Sequence, residues 1–164
     1  MACKVISLLN FVFVFKNILV GAFTIKDEYN YLNQLTNKAL QRTEITDKEK
    51  VALYNVLASL EYSMKNDLQA LEYQKKTLEL MPDEPAYQYN AATIYKVLNK
   101  EDELMDSVNK LIDIYKNKDP QTEVNNLGYL QYARNILLNS DQADKVSLID
   151  DIISNAKNYP KNKY

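Results

Sequence analysis

Apolar residues in the segment 51–82 have the spacing of two amphipathic helices joined by a short turn. The first helix has a stripe at intervals of three and four residues, formed by Leu53, Tyr54, Leu57 and Leu60. The second has a stripe formed by Ala70, Leu71, Tyr73, Leu78 and Met81. Because one hairpin cannot bury both stripes, this pattern predicts further helices packed on either side.

Polar residues mark the ends of these two helices. Lys65, Asn66 and Asp67 predict the turn, and Asn66 is expected to cap the second helix in a capping box with Gln69. Pro82 is expected to end that helix, since proline lacks the amide hydrogen that a helix interior needs.

The hairpin pattern recurs along the chain. Ala58 and Ala92 are small residues in equivalent places, and we call the distance between them in the sequence the repeat interval. The second unit covers 85–119 and has its polar turn at Asn99 and Lys100. In a third unit, Gly128 is expected to take the place of Ala92 after a slightly longer interval. The sequence therefore predicts about three stacked hairpins.

The repeat interval of about 34 residues, with two helices per unit, resembles the tetratricopeptide repeat (TPR). The resemblance rests on Tyr54, Leu57, Ala58, Ala70 and Pro82, on Ala92, Tyr95, Val108 and Leu111, and on Val124, Leu127 and Gly128. It covers roughly two thirds of the chain. It implies an all-α fold, an α-solenoid of about three TPR-like helical hairpins.

Additional helices are expected at both ends of this repeat domain, which is predicted to cover 25–158. A half-repeat helix at 25–42 caps the N-terminal end, and Thr46 with Glu49 forms a capping box for the next helix. Helices are expected at 121–138 and at 141–157, the latter capped by Ser140 and acting as a C-terminal capping helix. A disordered tail is predicted at 159–164.

The segment 1–22 has the pattern of an export signal. Lys4 supplies a positive charge, 5–15 form an apolar run, and Ala22 is the residue after which a signal peptidase is expected to cut. This predicts an exported protein, periplasmic or secreted. The alternative is a retained membrane anchor, against which Lys16 argues because a central lysine costs about 2.5–3.5 kcal/mol in a spanning helix.

Composition narrows the functional classes. The chain has 164 residues, no histidine and one cysteine, Cys3, which excludes histidine-based catalysis, histidine-ligated metals and an intramolecular disulfide. No glycine-rich phosphate loop is present, and Lys and Glu are interspersed at a net charge of −2. We therefore expect no enzyme activity, cofactor, metal or nucleic-acid partner. Membrane contact is expected only through the N-terminal segment, if it is retained.

The TPR resemblance also indicates where a partner would bind, because partner peptides lie along the first helix of each unit in this family. The positions implied are Asn55, Ser59, Tyr62, Tyr89, Asn90, Thr93, Lys96, Asn125, Asn126, Tyr129 and Tyr132. Asn can bond both backbone groups of an extended peptide, and Tyr offers flat apolar area with one hydroxyl. For Tyr89 and Tyr129 the alternative is packing between repeats.

Three functional hypotheses follow, and the last of them, an enzyme that uses carboxylates, would require two acidic side chains that converge in a pocket. The first is a non-enzymatic interaction module that binds a peptide or helix of a partner protein in the concave groove. The second is a structural scaffold, membrane-anchored or self-associating, that retains its N-terminal segment. The sequence predicts no particular oligomeric state.

Overall fold

The computed structural model describes residues 25–117 and 127–158, and all regular structure in these two ranges is helical. The helices are α1 (Ile25–Leu40), α2 (Asp47–Ser63), α3 (Asp67–Leu80), α4 (Pro85–Val97), α5 (Glu101–Lys116), α6 (Leu127–Leu137), a 3₁₀ helix (Ala143–Lys145) and α7 (Val146–Asn158). This confirms the all-α class. The predicted leader at 1–22 and tail at 159–164 lie outside the described residues. None of the helices in the two described ranges is long and apolar enough to cross a membrane.

Consecutive helices pack on each other as hairpins. The most extensive contacts join α2 to α3 and α4 to α5, and α3 in turn packs against α4. Helix α1 lies on α2, while α6 lies on α5 and α7 on α6. One hydrophobic cluster runs from α3 to α7 and includes the fully buried Val108, Leu111 and Leu130.

The two central hairpins turn in the same way. In the first turn, the amide of Asn66 donates to the Glu61 carbonyl at 2.9 Å and the amide of Lys65 donates to the Tyr62 carbonyl at 3.1 Å. These two bonds define a Schellman motif, which places its central residue, Lys65, in the left-handed region at φ 64°. The helix-ending geometry is therefore set by the backbone and not by a glycine.

The second turn reproduces this geometry one repeat interval later. The amide of Lys100 donates to the Tyr95 carbonyl at 2.9 Å, and Asn99 takes the left-handed conformation at φ 54°. The period inferred from Ala58 and Ala92 is thus also the period of the backbone. Both alanines are buried, at 3% and 0% exposure.

One of the two predicted capping boxes is present. The Glu49 amide donates to the Thr46 hydroxyl at 3.3 Å, and the Thr46 amide donates to the Glu49 carboxylate at 2.9 Å. The box expected between Asn66 and Gln69 is wrong, because Asn66 makes no side-chain cap bond. Its side chain instead donates to the carboxylate of Glu61 at 2.8 Å, a stronger acceptor than a neutral group.

The third hairpin does not follow the predicted register. Gly128 is exposed, and a Cβ at this position would meet no atom of the described residues within 4 Å, so it does not replace Ala58 or Ala92. The small buried residue of α6 is Ala133, on a face completed by Leu130 and Leu137. These three positions follow the spacing of a helix, and they decide which face of α6 is buried.

The last helix begins later than predicted. Ser140 donates to the Leu137 carbonyl at 3.0 Å and accepts from the Gln142 amide at 3.1 Å, so it closes a turn and does not cap a helix at 141. The 3₁₀ helix follows, and α7 starts at Val146. The buried face of α7 is formed by Ile149, Ile153 and Ala156.

Candidate functional site

Nine of the eleven predicted binding residues belong to the described part of the chain, and they lie on α2, α4 and α6. Asn125 and Asn126 lie outside it. Five of the nine line one cavity of about 220 Å³, namely Ser59, Tyr62, Tyr89, Asn90 and Thr93. The remaining lining residues are Ala58, Gln74 and Ile94. We call the surface formed by the predicted residues of these three helices the α2–α4–α6 face.

A side-chain hydrogen bond connects α2 to α4 on this face. The Asn90 amide nitrogen donates to the amide oxygen of Asn55 at 3.0 Å, across 35 residues of sequence. Both side chains are half-buried. The bond leaves Asn90 one N–H and its oxygen, and leaves Asn55 its own NH₂ group, for other partners.

Aromatic rings connect α4 to α6. The Tyr89 ring lies 5.1 Å from the Tyr129 ring and 4.9 Å from the Tyr132 ring, the second pair in an edge-to-face arrangement. Such pairs contribute about 0.5–1.5 kcal/mol each beyond the area they bury. Tyr89 and Tyr129 therefore pack between hairpins, which was the alternative to partner binding given for them above. Tyr89 also lines the cavity.

The hydroxyl of Tyr132 is buried and has no hydrogen-bond partner among the described residues. Burial raises the pKa of this phenol, and the nearby Thr93 hydroxyl opposes the shift in part. At neutral pH the group is therefore an uncharged donor and acceptor beneath the surface.

Two small hydroxyls repeat between the hairpins. Ser59 donates to the Asn55 carbonyl, and Thr93 donates to the Tyr89 carbonyl, both at 2.9 Å. Ser59 and Thr93 are separated by the repeat interval and bond in the same i to i−4 manner. Since each hydroxyl has only one hydrogen, both now offer only lone pairs to the cavity.

Charge is sparse around the cavity. Its lining contains no aspartate, glutamate, lysine or arginine. Lys96 is exposed on α4 and does not line the cavity, so the structure does not bring it together with the other residues. A cation nevertheless lies close, because the Lys65 ammonium is 5.9 Å from the centroid of the Tyr62 ring.

Gln74 is a cavity residue that the sequence interpretation missed. It is fully buried on α3, its amide nitrogen donates to the Tyr87 carbonyl at 3.0 Å, and its Oε1 has no partner among the described residues. The predicted stripe of α3 included Met81, which is 38% exposed, while the buried face is formed by Ala70, Leu71, Gln74 and Thr77. A glutamine at helical spacing from Ala70 and Leu71 was the signal that could have identified it.

Glu61 is a second residue that the pattern did not reveal. It is only 4% exposed, at the end of α2. Its carboxylate accepts from the Tyr29 hydroxyl at 2.8 Å, from Asn33 at 3.2 Å and from Asn66 at 2.8 Å. Buried charges need such donors, and here neutral groups from α1 and from the turn supply them.

Two pairs of adjacent acidic residues, at 83–84 and 150–151, could have suggested metal ligands in the sequence. The structure places one member of each pair in an ion pair on the surface. Asp83 lies 2.7 Å from the Lys110 ammonium, and Asp150 lies 2.7 Å from the Arg134 guanidinium. Arg134 lowers the pKa of Asp150 through this hydrogen bond. Asp83 and Asp150 therefore each pair with a cation, and none of the four acidic residues lines the cavity.

Comparison with known proteins adds no family to this picture. No protein-family model matches the chain, and a search of curated proteins finds no match. The resemblance to tetratricopeptide repeats therefore rests on the chain's own residues and on the period of its turns.

Proposed function

We propose that this chain is a non-enzymatic interaction module that binds a peptide or helix of a partner protein along the α2–α4–α6 face. The observation that carries the proposal is the cavity between α2 and α4, because five of the binding residues that the TPR resemblance implied line it together. Its aromatic rings, amides and hydroxyls are the groups that recognise neutral peptide surfaces at low entropic cost.

The proposal includes a TPR-like arrangement of the hairpins. Its support is the recurrence of the Schellman turn at Lys65 and Asn99, and of the hydroxyl bonds at Ser59 and Thr93, at the same repeat interval. Units that repeat a turn and a buried small residue stack in a regular way. In such a stack, the first helices of the hairpins line the concave side, where we place the partner.

Export belongs to the same proposal and has its own test. The pattern of the segment 1–22 supports cleavage after Ala22. Mass spectrometry of the protein purified from its native host should then give a chain that starts at Phe23. A chain that starts at Met1 in the membrane fraction would favour the anchored scaffold.

Binding is tested by selecting peptides from a random displayed library on the purified chain. Enriched peptides are synthesised, and their dissociation constants are measured by fluorescence anisotropy. Tyr62→Ala and Asn90→Ala should each weaken binding by about tenfold, as expected for a lost interface anchor or a lost hydrogen bond. Thermal melting of both variants should stay close to that of the wild type, because both side chains are only half-buried.

Tyr31→Ala is the matched control. This tyrosine is 60% exposed on α1 and does not line the cavity, so its loss should leave peptide affinity unchanged. If no peptide is enriched, or if the enriched peptides bind Tyr62→Ala and wild type equally, the proposed binding face is wrong.

A further inference from the structure

The first and last helices that the structure describes are attached in different ways. Helix α7 buries Ile149, Ile153 and Ala156, and the first two belong to the hydrophobic cluster that runs from α3 to α7. None of the described residues of α1 belongs to that cluster. Among the described side chains of α1 only Thr36 is buried, and its hydroxyl donates to the Leu32 carbonyl of the same helix at 2.7 Å. Burial of apolar surface therefore holds α7 more firmly than α1.

The apolar side chains of α1 are only partly removed from water. Leu32, Leu35, Ala39 and Leu40 are all half-buried. Hydrophobic stabilisation is roughly proportional to the apolar area that leaves water, so each of these residues contributes less than a fully buried one. The contact of α2 with α3, in contrast, is among the most extensive in the fold. Helix α1 should therefore separate from α2 more easily than α2 separates from α3.

Two hydrogen bonds from α1 end on one carboxylate of α2. The Tyr29 hydroxyl donates to Oε1 of Glu61 at 2.8 Å, and the Asn33 amide donates to the same oxygen at 3.2 Å. The other oxygen, Oε2, accepts from Asn66 of the α2–α3 turn at 2.8 Å. The first hairpin therefore holds the carboxylate in place by itself, and α1 adds two donors to it.

Water can replace what α1 contributes to this contact. Tyr29 and Asn33 are half-buried, so their polar groups become hydrated when α1 moves away. The Glu61 carboxylate, on a residue that is only 4% exposed, would gain hydration and keep its bond from Asn66. Opening the contact therefore leaves none of these polar groups without a hydrogen-bond partner.

The chain around the contact permits such an opening. Helix α2 begins independently of α1, because the capping box of Thr46 and Glu49 satisfies its first turn. The connection 41–44 is exposed and belongs to no helix. A short exposed connection of this kind can absorb the change in backbone angles that a hinge needs.

We propose that α1 is a detachable cap, which opens as one unit about the connection 41–44 while α2–α7 stay folded, and that the Glu61 carboxylate holds it closed. The open form presents to solvent the surface of α2 that α1 covers. Segments with few buried apolar contacts are the ones that open first in native proteins. The inference goes beyond the proposed function and does not rest on it, since Tyr29, Asn33 and Glu61 do not line the cavity between α2 and α4.

Native-state hydrogen exchange of the full chain tests the inference, when it is followed by NMR under conditions in which the rate reports the opening equilibrium. Backbone amides of α1 should have protection factors about 100-fold lower than those of α4 and α5. The amides of Leu35, Asn37 and Ala39 should share one protection factor, because they open together. Protection that is equal in α1 and α4, or that rises steadily along α1 as in a fraying end, would overturn the inference.

A core variant separates the opening of α1 from global unfolding. Val108 is fully buried on α5, and Val108→Ala should lower the protection factors of α4 and α5 by about tenfold or more. The same variant should leave those of α1 unchanged, because the closed and open forms both contain the altered core. A parallel loss in α1 would show that α1 opens only when the whole chain unfolds, and would overturn the inference.

A second variant tests the carboxylate. Glu61→Gln replaces a charged acceptor by a neutral one and should lower the protection factors of α1 by about tenfold. Glu79→Gln is the matched control, because Glu79 is an exposed glutamate on α3, and it should change them little. If Glu61→Gln does not fold, Tyr29→Phe removes one donor of α1 and should lower the same protection factors by about fivefold. Unchanged protection of α1 in the variant that folds would overturn the role of Glu61.

Discussion

Glu61 and Tyr95 occupy the same place in the two central hairpins, but one is held by hydrogen bonds and the other by hydrophobic packing. They are separated by the repeat interval, each is almost buried, at 4% and 8% exposure, and each backbone carbonyl accepts the long bond of its Schellman turn. Glu61 holds a carboxylate in place with three donors from α1 and the turn. Tyr95 belongs to the main hydrophobic cluster.

The residue after each turn shows the same divergence. Asn66 donates to Glu61, whereas Lys100, its equivalent in the second hairpin, forms an ion pair with Glu103 at 2.8 Å. The shared turn is thus specified by backbone bonds and by a left-handed residue, which is a lysine in the first hairpin and an asparagine in the second. The buried side chain at its start depends instead on the neighbouring helix, and α1 presents the polar groups of Tyr29 and Asn33.

The largest effect should come from truncating these two side chains. Tyr95→Ala removes a buried ring from the main cluster and should lower the free energy of unfolding by about 3–5 kcal/mol. Glu61→Ala should cost less, about 1–3 kcal/mol, because its partners Tyr29 and Asn33 are half-buried and can turn to water. Urea denaturation measures both. Equal losses would mean that the two positions are energetically alike and that the comparison is wrong.

Ala92→Leu should have the next largest effect. Together with a substitution of Gly128, it tests whether the second and third hairpins differ at the position of the small residue. Ala92 is fully buried between packed helices, so the larger side chain should destabilise the protein by about 1–3 kcal/mol. Gly128→Ala is the control at the position first thought equivalent. Its new Cβ meets no atom within 4 Å in the part of the chain that the structure describes, so it should stabilise the protein by about 0.4–1 kcal/mol through better helix propensity. A loss at both positions in thermal melts would restore the predicted register of the third unit.

The sequence was sufficient for the features that depend on apolar spacing and local signals. The all-helical fold, the first capping box and the repeat interval of the central hairpins all follow from such patterns. The selection of Tyr62 and Asn90, which line one cavity, came instead from the resemblance to tetratricopeptide repeats. The register of the third unit was predicted wrongly from Gly128, because a small residue indicates a close helix contact only where another helix packs against it.

Gln74 and Glu61 escaped prediction for a different reason. Polar residues on a buried face look like surface residues in a sequence, and their burial depends on partners far along the chain. The bond from Tyr29 to Glu61 spans 32 residues, and that from Gln74 to the Tyr87 carbonyl crosses from one hairpin to the next. Apolar spacing carries no information about such donors.

A smaller effect should distinguish the two turn residues. Lys65 has a positive φ, which costs a residue with a β-carbon about 1–2 kcal/mol, whereas asparagine tolerates it better. Lys65→Gly should therefore stabilise the protein by about 0.5 kcal/mol after the entropy of the unfolded glycine and the lost contact with the Tyr62 ring are subtracted. Asn99→Gly should change stability little. Urea denaturation measures both variants. If Asn99→Gly raises the free energy of unfolding more than Lys65→Gly does, the positive φ is not what limits stability at these turns.

The smallest expected effect is a change of stability at alkaline pH. It distinguishes the two hairpins because the pKa values of Tyr29 and Tyr95 are raised for different reasons. The hydrogen bond to Glu61 raises the pKa of Tyr29 above its ordinary 10.0, with burial adding to the shift, whereas burial is the main reason that the pKa of Tyr95 is raised. A folded pKa above the unfolded one means that the neutral phenol stabilises the fold fully below about pH 10 and loses this contribution as the pH rises through the folded value.

The free-energy gap between wild type and Tyr29→Phe should therefore narrow as the pH rises above about 10. In a Glu61→Gln background the gap for Tyr29→Phe should change less with pH, because the carboxylate that opposes ionisation of Tyr29 is gone. The gap for Tyr95→Phe should keep its pH dependence in that background, since its main cause, burial, remains. Urea denaturation across this pH range measures all three. If the pH dependence of the free-energy gap for Tyr29→Phe is the same with and without Glu61→Gln, burial and not the Glu61 carboxylate raises the pKa of Tyr29.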